Sequence, residues 1–322
     1  MKLVAFAILV GFFASTAQAA EDCTLKQLAS LPISVLPDGD MAVPVTIAGT
    51  ERKFKIGIDA PFSAILGKFA DEKGSKSLSM PFGIKPVVED QKVTLQVKVP
   101  DIRVGSLHGT DFAMLRYENN TTGDSDAVGV LGLDFLANAD LELDLRNNKL
   151  NLFSQDHCEG QVVYWAKAYA AVPFTKDESG HFAAEMQLDG KPVTVDLDAA
   201  MGDARMGAAT VKRIFGLDEQ SPDFKRVTTP PGWQPQYSYP FKSLSIDGIA
   251  IGNPKITIES AIGDCRPKTQ YKGSGPYRCY GMADVRLRST ELRALHLFIA
   301  FKEKMLYVTA ADAKLPAVEP VK

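Results

Sequence analysis

Met41 to Leu66 reads MAVPVTIAGTERKFKIGIDAPFSAIL, and His181 to Met206 reads HFAAEMQLDGKPVTVDLDAAMGDARM. In each stretch apolar and polar residues alternate up to a glycine, Gly49 or Gly190, and then alternate again. Each second run ends at an aspartate, Asp59 or Asp198. Alternation on both sides of a glycine turn is the sequence signal of a β-hairpin. The aspartates lie 139 residues apart (198 − 59) and read as the same position in two copies of one unit. Two units that each offer one carboxylate can bring a pair together where they meet.

The duplication continues along the chain. IRVGSLHGTDFAML (Ile102 to Leu115) is echoed by LSIDGIAIGNPKITI (Leu244 to Ile258), and GVLGLDFL (Gly129 to Leu136) more faintly by CYGMADVRL (Cys279 to Leu287). Each copy closes with an apolar–turn–apolar hairpin, LELDLRNNKLNLF (Leu141 to Phe153) and LFIAFKEKMLYVT (Leu297 to Thr309). A period this long marks a duplicated domain, since solenoid repeats run to about 50 residues.

The first residues have the layout of a secretory signal peptide, residues 1–19. Lys2 supplies the charge, Leu3 to Ala14 the apolar run, and Ala17-Gln18-Ala19 the small-residue cleavage site. The apolar run is shorter than the roughly 20 residues that span a bilayer. The expected location is periplasmic or secreted, with no membrane span. Export makes disulfides the default for the four cysteines. Cys23 and Cys158 bracket the first unit, and Cys265 and Cys279 flank one loop of the second. Of the three possible pairings, this bracketing predicts Cys23–Cys158 and Cys265–Cys279. The cysteine spacing does not suit zinc, and the four histidines, His108, His157, His181 and His296, share no motif. No metal and no cofactor is expected. The net charge is −3 with scattered basic residues, so no nucleic-acid partner is expected.

The expected organisation is a first lobe over 24–155, a linker over 156–169, a second lobe over 170–311 and a tail over 312–322. Short strands with frequent Gly and Pro turns make the class mainly β. Helical character is predicted at Ala208 to Phe215, capped by Gly216, and at Ser289 to Leu295, capped by Ser289 or Thr290. Asp134 and Asp284 read as caps of the turns that follow them. Asn119 and Asn120 fit the glycosylation pattern and fit turn chemistry equally well.

At these repeated segments the chain resembles bacterial exported retropepsin-like aspartic proteases, in a form with two fused copies. The resemblance covers most of the mature chain. It implies a bilobal acid-protease-like fold of two duplicated β-barrel lobes with short helices, a peptide or protein bound in an interlobe cleft, and a monomer, because one chain supplies both halves. It maps Asp59 and Asp198 onto the catalytic pair. Two facing carboxylates do not both ionise cheaply, so one holds a proton and the pair acts as base on water and acid on the carbonyl.

The loops depart from the Asp-Thr-Gly of that family. They read Asp59-Ala60-Pro61 and Asp198-Ala199-Ala200. Neither alanine can supply the hydroxyl that ties such loops together. Ala200 keeps a backbone N–H, whereas Pro61 has none, so Asp59 is expected to be raised. Asp196 falls on the same strand face as Asp198, with Gly57 as its expected counterpart in the first lobe. The Pro-rich loop around Trp233 and the segment Phe82 to Asp90 read as possible flaps or as ordinary surface loops. Three functions stay open: a weakly active endopeptidase, an inactive relative that binds a peptide or envelope partner, and a purely structural exported protein.

Overall fold

The computed structural model describes residues 23–80, 86–89, 91–118, 127–176, 181–230, 232, 234–260 and 283–313. The leader, the tail beyond 313, Asn119 and Asn120, Trp233 and the Cys265–Cys279 pair lie outside the described residues.

The chain is mainly β and forms two lobes. Strands Met41–Ile47 and Thr50–Ile56 pair as a hairpin in the first, and Phe182–Leu188 and Lys191–Leu197 in the second. Both turns place two successive residues at positive φ: Ala48 and Gly49 at 45° and 75°, Asp189 and Gly190 at 48° and 75°. That geometry matches the twist of the flanking strands. Alternate side chains point inward, so Val43, Val45, Phe54 and Ile56 fill one lobe and Met186, Leu188, Val195 and Leu197 the other. Tight packing of such β-branched and aromatic side chains fits a half-buried pleated surface.

The closing hairpins leave their own lobes. Strand Asp140–Asp144 pairs antiparallel with Leu295–Ala300, matching Leu141 to Ile299, Glu142 to Phe298 and Leu143 to Leu297. Each is flanked by its hairpin partner, Lys149–Phe153 or Met305–Ala310, and then by an entry strand, Gln27–Pro32 or Ala170–Lys176. Six strands, three from each half, thus form one continuous sheet under both lobes. An approximate two-fold axis passes through the Glu142 and Phe298 pair.

That symmetry fixes which residues are equivalent. Gly190 follows Gly49 by 141 residues (190 − 49). In the first lobe Lys55 and Ile56 pair with Val130 and Leu131, and in the second Asp196 and Leu197 pair with Arg286 and Leu287. Here too the offset is 141 before the lobe's middle (196 − 55) and 156 after it (286 − 130). The entry strands repeat it, with Ala29 opposite Leu152 and Ala170 opposite Val308. No single insertion separates the copies up to the aspartate loops.

Residues 154–169 carry no strand and lie against the outer face of the shared sheet. Val162 and Trp165 pack there with Phe153, Phe298 and Tyr307. The Cys23–Cys158 disulfide ties the start of this segment to the chain's entry. Helix Ala208–Phe215 ends, as its sequence implies, at Gly216 in the left-handed conformation, with Lys212 and Arg213 in the last turn. The second expected helix is shorter, Ser289–Leu292, because Leu295 already belongs to a fully buried strand. Ser289 is its first helical residue and not its cap; Ser289 Oγ accepts the Gly202 N–H and Thr290 Oγ1 bonds Asp203.

Candidate functional site at the lobe interface

Asp59 and Asp198 do not occupy the same position. With the 141-residue offset, the counterpart of Asp198 is Gly57, while Asp59 falls on the loop that follows it, next to the counterpart of Ala200, which is Ala60. The backbone bonds agree: Gly57 donates to Leu131 O at 2.9 Å and Asp198 donates to Leu287 O at 2.8 Å. The correction is a slip of two residues. A slip of two keeps every side chain on its own face of the pleat, so alternation alone could not reveal it. Asp196 is correspondingly the counterpart of Lys55, not of Gly57.

The first lobe has no room for an aspartate at the Asp198 position. A Cβ on Gly57 would lie 2.6 Å from Val130 Cγ1 and 3.1 Å from Leu131 O. Asp59 stands two residues on, in the loop just before Ala60, whose carbonyl takes the Leu133 N–H as the Ala200 carbonyl takes the Ser289 N–H.

Both aspartates still reach the interface, along with Asp196, and the three carboxylates meet two arginines there. Arg286 lies on strand Val285–Leu287 and directs Nε and Nη2 onto Asp196 at 3.0–3.3 Å. Its Nη1 crosses to the other lobe and donates to Asp59 Oδ2 at 3.2 Å. Arg288, two residues on and on the same face, sets Nε 3.2 Å from Asp198 Oδ2. That contact is ionic and is not aligned as a hydrogen bond. Asp198 Oδ1 accepts the Ala200 N–H at 2.8 Å, the backbone donor that the sequence retained.

The electrostatics follow from crowding. Burial pushes Asp59 up to about 7, with the charges of Asp198 and Asp196 adding to the rise and Arg286 opposing it. The side chain is 26% exposed, yet dense protein around it removes most of its hydration. The direction matches the sequence expectation, but the main cause is burial and not the missing Pro61 donor. Burial raises Asp196 to about 6 against the pull of Arg286. Arg286 itself stays charged, since three carboxylates outweigh its burial.

The arginines were not singled out from sequence. The signal was present in Val285-Arg286-Leu287-Arg288, where two cations alternate on one strand face. They replace Val130 and Gly132 of the first lobe. Gly132 is required there, because a Cβ would lie 2.5 Å from the Phe62 carbonyl carbon.

The loops also have side-chain supports. Asp134 stands in the first turn of Leu133–Leu136, and its carboxylate also accepts the Ser63 N–H at 2.8 Å and the Ser63 hydroxyl at 2.6 Å, bracing the Asp59 loop. In the second lobe Glu291 takes the Ala204 N–H at 2.8 Å. Asp284 bonds Thr194 and Arg213. Of the histidines, His108 lies at the surface beside Asp101, His157 and His296 are held by Asp140 and Glu142, and His181 lines a cavity of about 250 Å³ that also reaches Asp196.

Two exposed apolar side chains belong to the aspartate loops. Phe62 and Met201 project from the two aspartate loops, and Met201 lies directly on Gly39 of the opposite lobe. Leu78, Val87, Leu95 and Val227 are exposed in or beside the two expected flap segments. Residues 86–89 of the first segment lie on their own lobe. Val88 and Met80 pack near Tyr117, and Glu89 joins Asp38 and Asp40 around Lys55 Nζ at 2.9–3.1 Å. Strands Ser77–Ser79 and Lys225–Val227, beside the two segments, are each the last strand of their sheet.

No protein-family model matches the chain, and no curated protein matches it. Among solved structures it is similar to the basic 7S globulin from soybean, with a TM-score of 0.51 at 9% identity, over 90% of this chain and 99% of that one. At that identity the likeness is one of fold, and it extends across both lobes.

Proposed function

We propose that this protein is an exported relative of the retropepsin-like aspartic proteases that no longer cleaves and instead binds an extended segment of a partner between its lobes. The observation that carries the reading is that Arg286 and Arg288 set a guanidinium against Asp59 and Asp198. Asp198 has both oxygens engaged, by Ala200 N–H and Arg288, and Asp59 is held by Arg286. Each guanidinium competes with a catalytic water for the carboxylate oxygen it faces. The offset of Asp59 and Asp198 about the two-fold axis argues the same way, because a shared water calls for equivalent carboxylates. A fold of this kind persists without its chemistry.

Two features support binding. Phe62 and Met201 present apolar surface beside the charged cluster, and two short strands are, among the described residues, the last of their sheets, the type of edge that extended peptides join. The test is a peptide array probed with the mature protein. Binding to a subset of peptides, weakened tenfold or more by Phe62→Ser together with Met201→Ser, is the expected result. An array without any binding, from a folded protein, removes the binding role and leaves the structural one.

The rival reading, a weakly active endopeptidase using Asp59 and Asp198, draws on one observation. Asp59 holds its proton up to about 7 beside a second carboxylate, which is the split an acid–base pair needs.

A further inference from the structure

Three carboxylates and two guanidiniums at the lobe interface leave one negative charge unbalanced. We propose that the cluster of Asp59, Asp196, Asp198, Arg286 and Arg288 is a proton-operated clasp, which takes up one proton as the medium acidifies and thereby tightens the hold of one lobe on the other. The inference does not rest on peptide binding.

The site of the proton follows from the contacts. Asp196 faces the fork of Arg286, and Asp198 faces Arg288 and the Ala200 N–H. Asp59 faces a single guanidinium nitrogen from the other lobe, at 3.2 Å, and is open enough for solvent to reach it. The groups facing it from the second lobe are Asp196, Asp198 and Arg286. Its own backbone adds a bond, and on the Asp196 side of the cluster Lys176 and His181 line the same cavity as that carboxylate. The surplus charge is therefore least compensated at Asp59, and neutralising Asp59 removes the repulsion from both other carboxylates.

The sign is set by linkage. With the lobes apart, Asp59 meets water and titrates as an ordinary carboxyl, near 4. With the lobes together it is pulled up to about 7. The closed arrangement thus binds the proton more tightly, and acid favours closure. The advantage is complete below about 4 and is lost as pH rises through 7. An intuitive salt bridge between Asp59 and Arg286 would behave in the opposite way, weakening in acid.

Asp59→Asn, which fixes the neutral form at nearly the same shape, separates the two. Melting temperatures of the wild type and the variant are compared from pH 4 to 8.5, with radii of gyration from solution scattering. The variant should melt above the wild type at pH 8, by a margin that grows between pH 4 and 7 and then levels. The wild type should expand between pH 5 and 8 while the variant does not. A variant that melts lower than the wild type by the same margin at every pH overturns the proposal. So does a wild type whose radius is independent of pH. The Asp59 carboxyl carbon, followed by NMR in the wild type, gives a check without mutation: a midpoint near 7 is expected, and one near 4 contradicts it.

Discussion

Gly57 decides the chemistry of the first lobe by what cannot be placed on it. Its missing side chain lets Val130 and the Leu131 carbonyl close in, and a backbone carbonyl cannot swing aside. Gly57→Ala should therefore cost about 1–3 kcal/mol through overpacking, read as a lower melting temperature; an unchanged melt would contradict the packing described. Arg286 carries a second prediction. Arg286→Met keeps the bulk and leaves Asp59 and Asp196 buried without a cation, which should cost about 3–5 kcal/mol at pH 8. Removing the cation raises both carboxyls further, so the loss should shrink as pH falls below about 6 and both become neutral. A denaturation series over pH measures it, and a loss that grows in acid would contradict the assignment. At this scale Asp59, Asp198 and the Ala200 donor were legible from sequence. The two-residue offset was not, because pleat parity is blind to it, and neither was the pairing of Arg286 and Arg288 with aspartates far away in sequence.

The elements that join the lobes rest on a buried polar cluster. Glu142, from the first half, accepts His296 Nε2 at 2.7 Å from the second, and also Asn151 Nδ2 at 2.9 Å and Tyr164 OH at 2.7 Å. The Trp165 ring stacks on His296 with centroids 4.0 Å apart. Every neighbour of this carboxylate donates. Glu142→Gln has the same shape but trades one accepting oxygen for an amide donor and removes the charge that faces Asn151, Tyr164 and His296, so it should lose about 1–3 kcal/mol in chemical denaturation. Stability equal to wild type would mean that the cluster does not bind the halves together. Both closing hairpins could be read from their alternation, as could the helix ending at Gly216. That the hairpins pair with each other could not, since local pattern carries no information about a partner strand 150 or so residues away. The shortened Ser289–Leu292 helix has the same origin, because Leu295 to Ala300 is required in the shared sheet.

For the whole molecule, the two-lobe mainly β architecture was legible because the duplication repeats turn by turn. The Cys23–Cys158 bridge was legible because it brackets one copy. It closes 135 residues. In the chain-entropy account, reducing it should cost about 3–5 kcal/mol, seen as a lower denaturant midpoint in dithiothreitol, and an unmoved midpoint would contradict that account. Among the described residues no helix is long and apolar enough to cross a membrane. What the duplicated fold does not carry over is an equivalent pair of carboxylates. The most direct test of that claim is a peptide-library digest by the mature protein from pH 3 to 7.5, with Asp59→Asn and Asp198→Asn run alongside. No cleavage above background at any pH, in the wild type or either variant, is the result predicted. Efficient cleavage by the wild type that disappears in both variants would contradict it and restore the aspartates as a working pair.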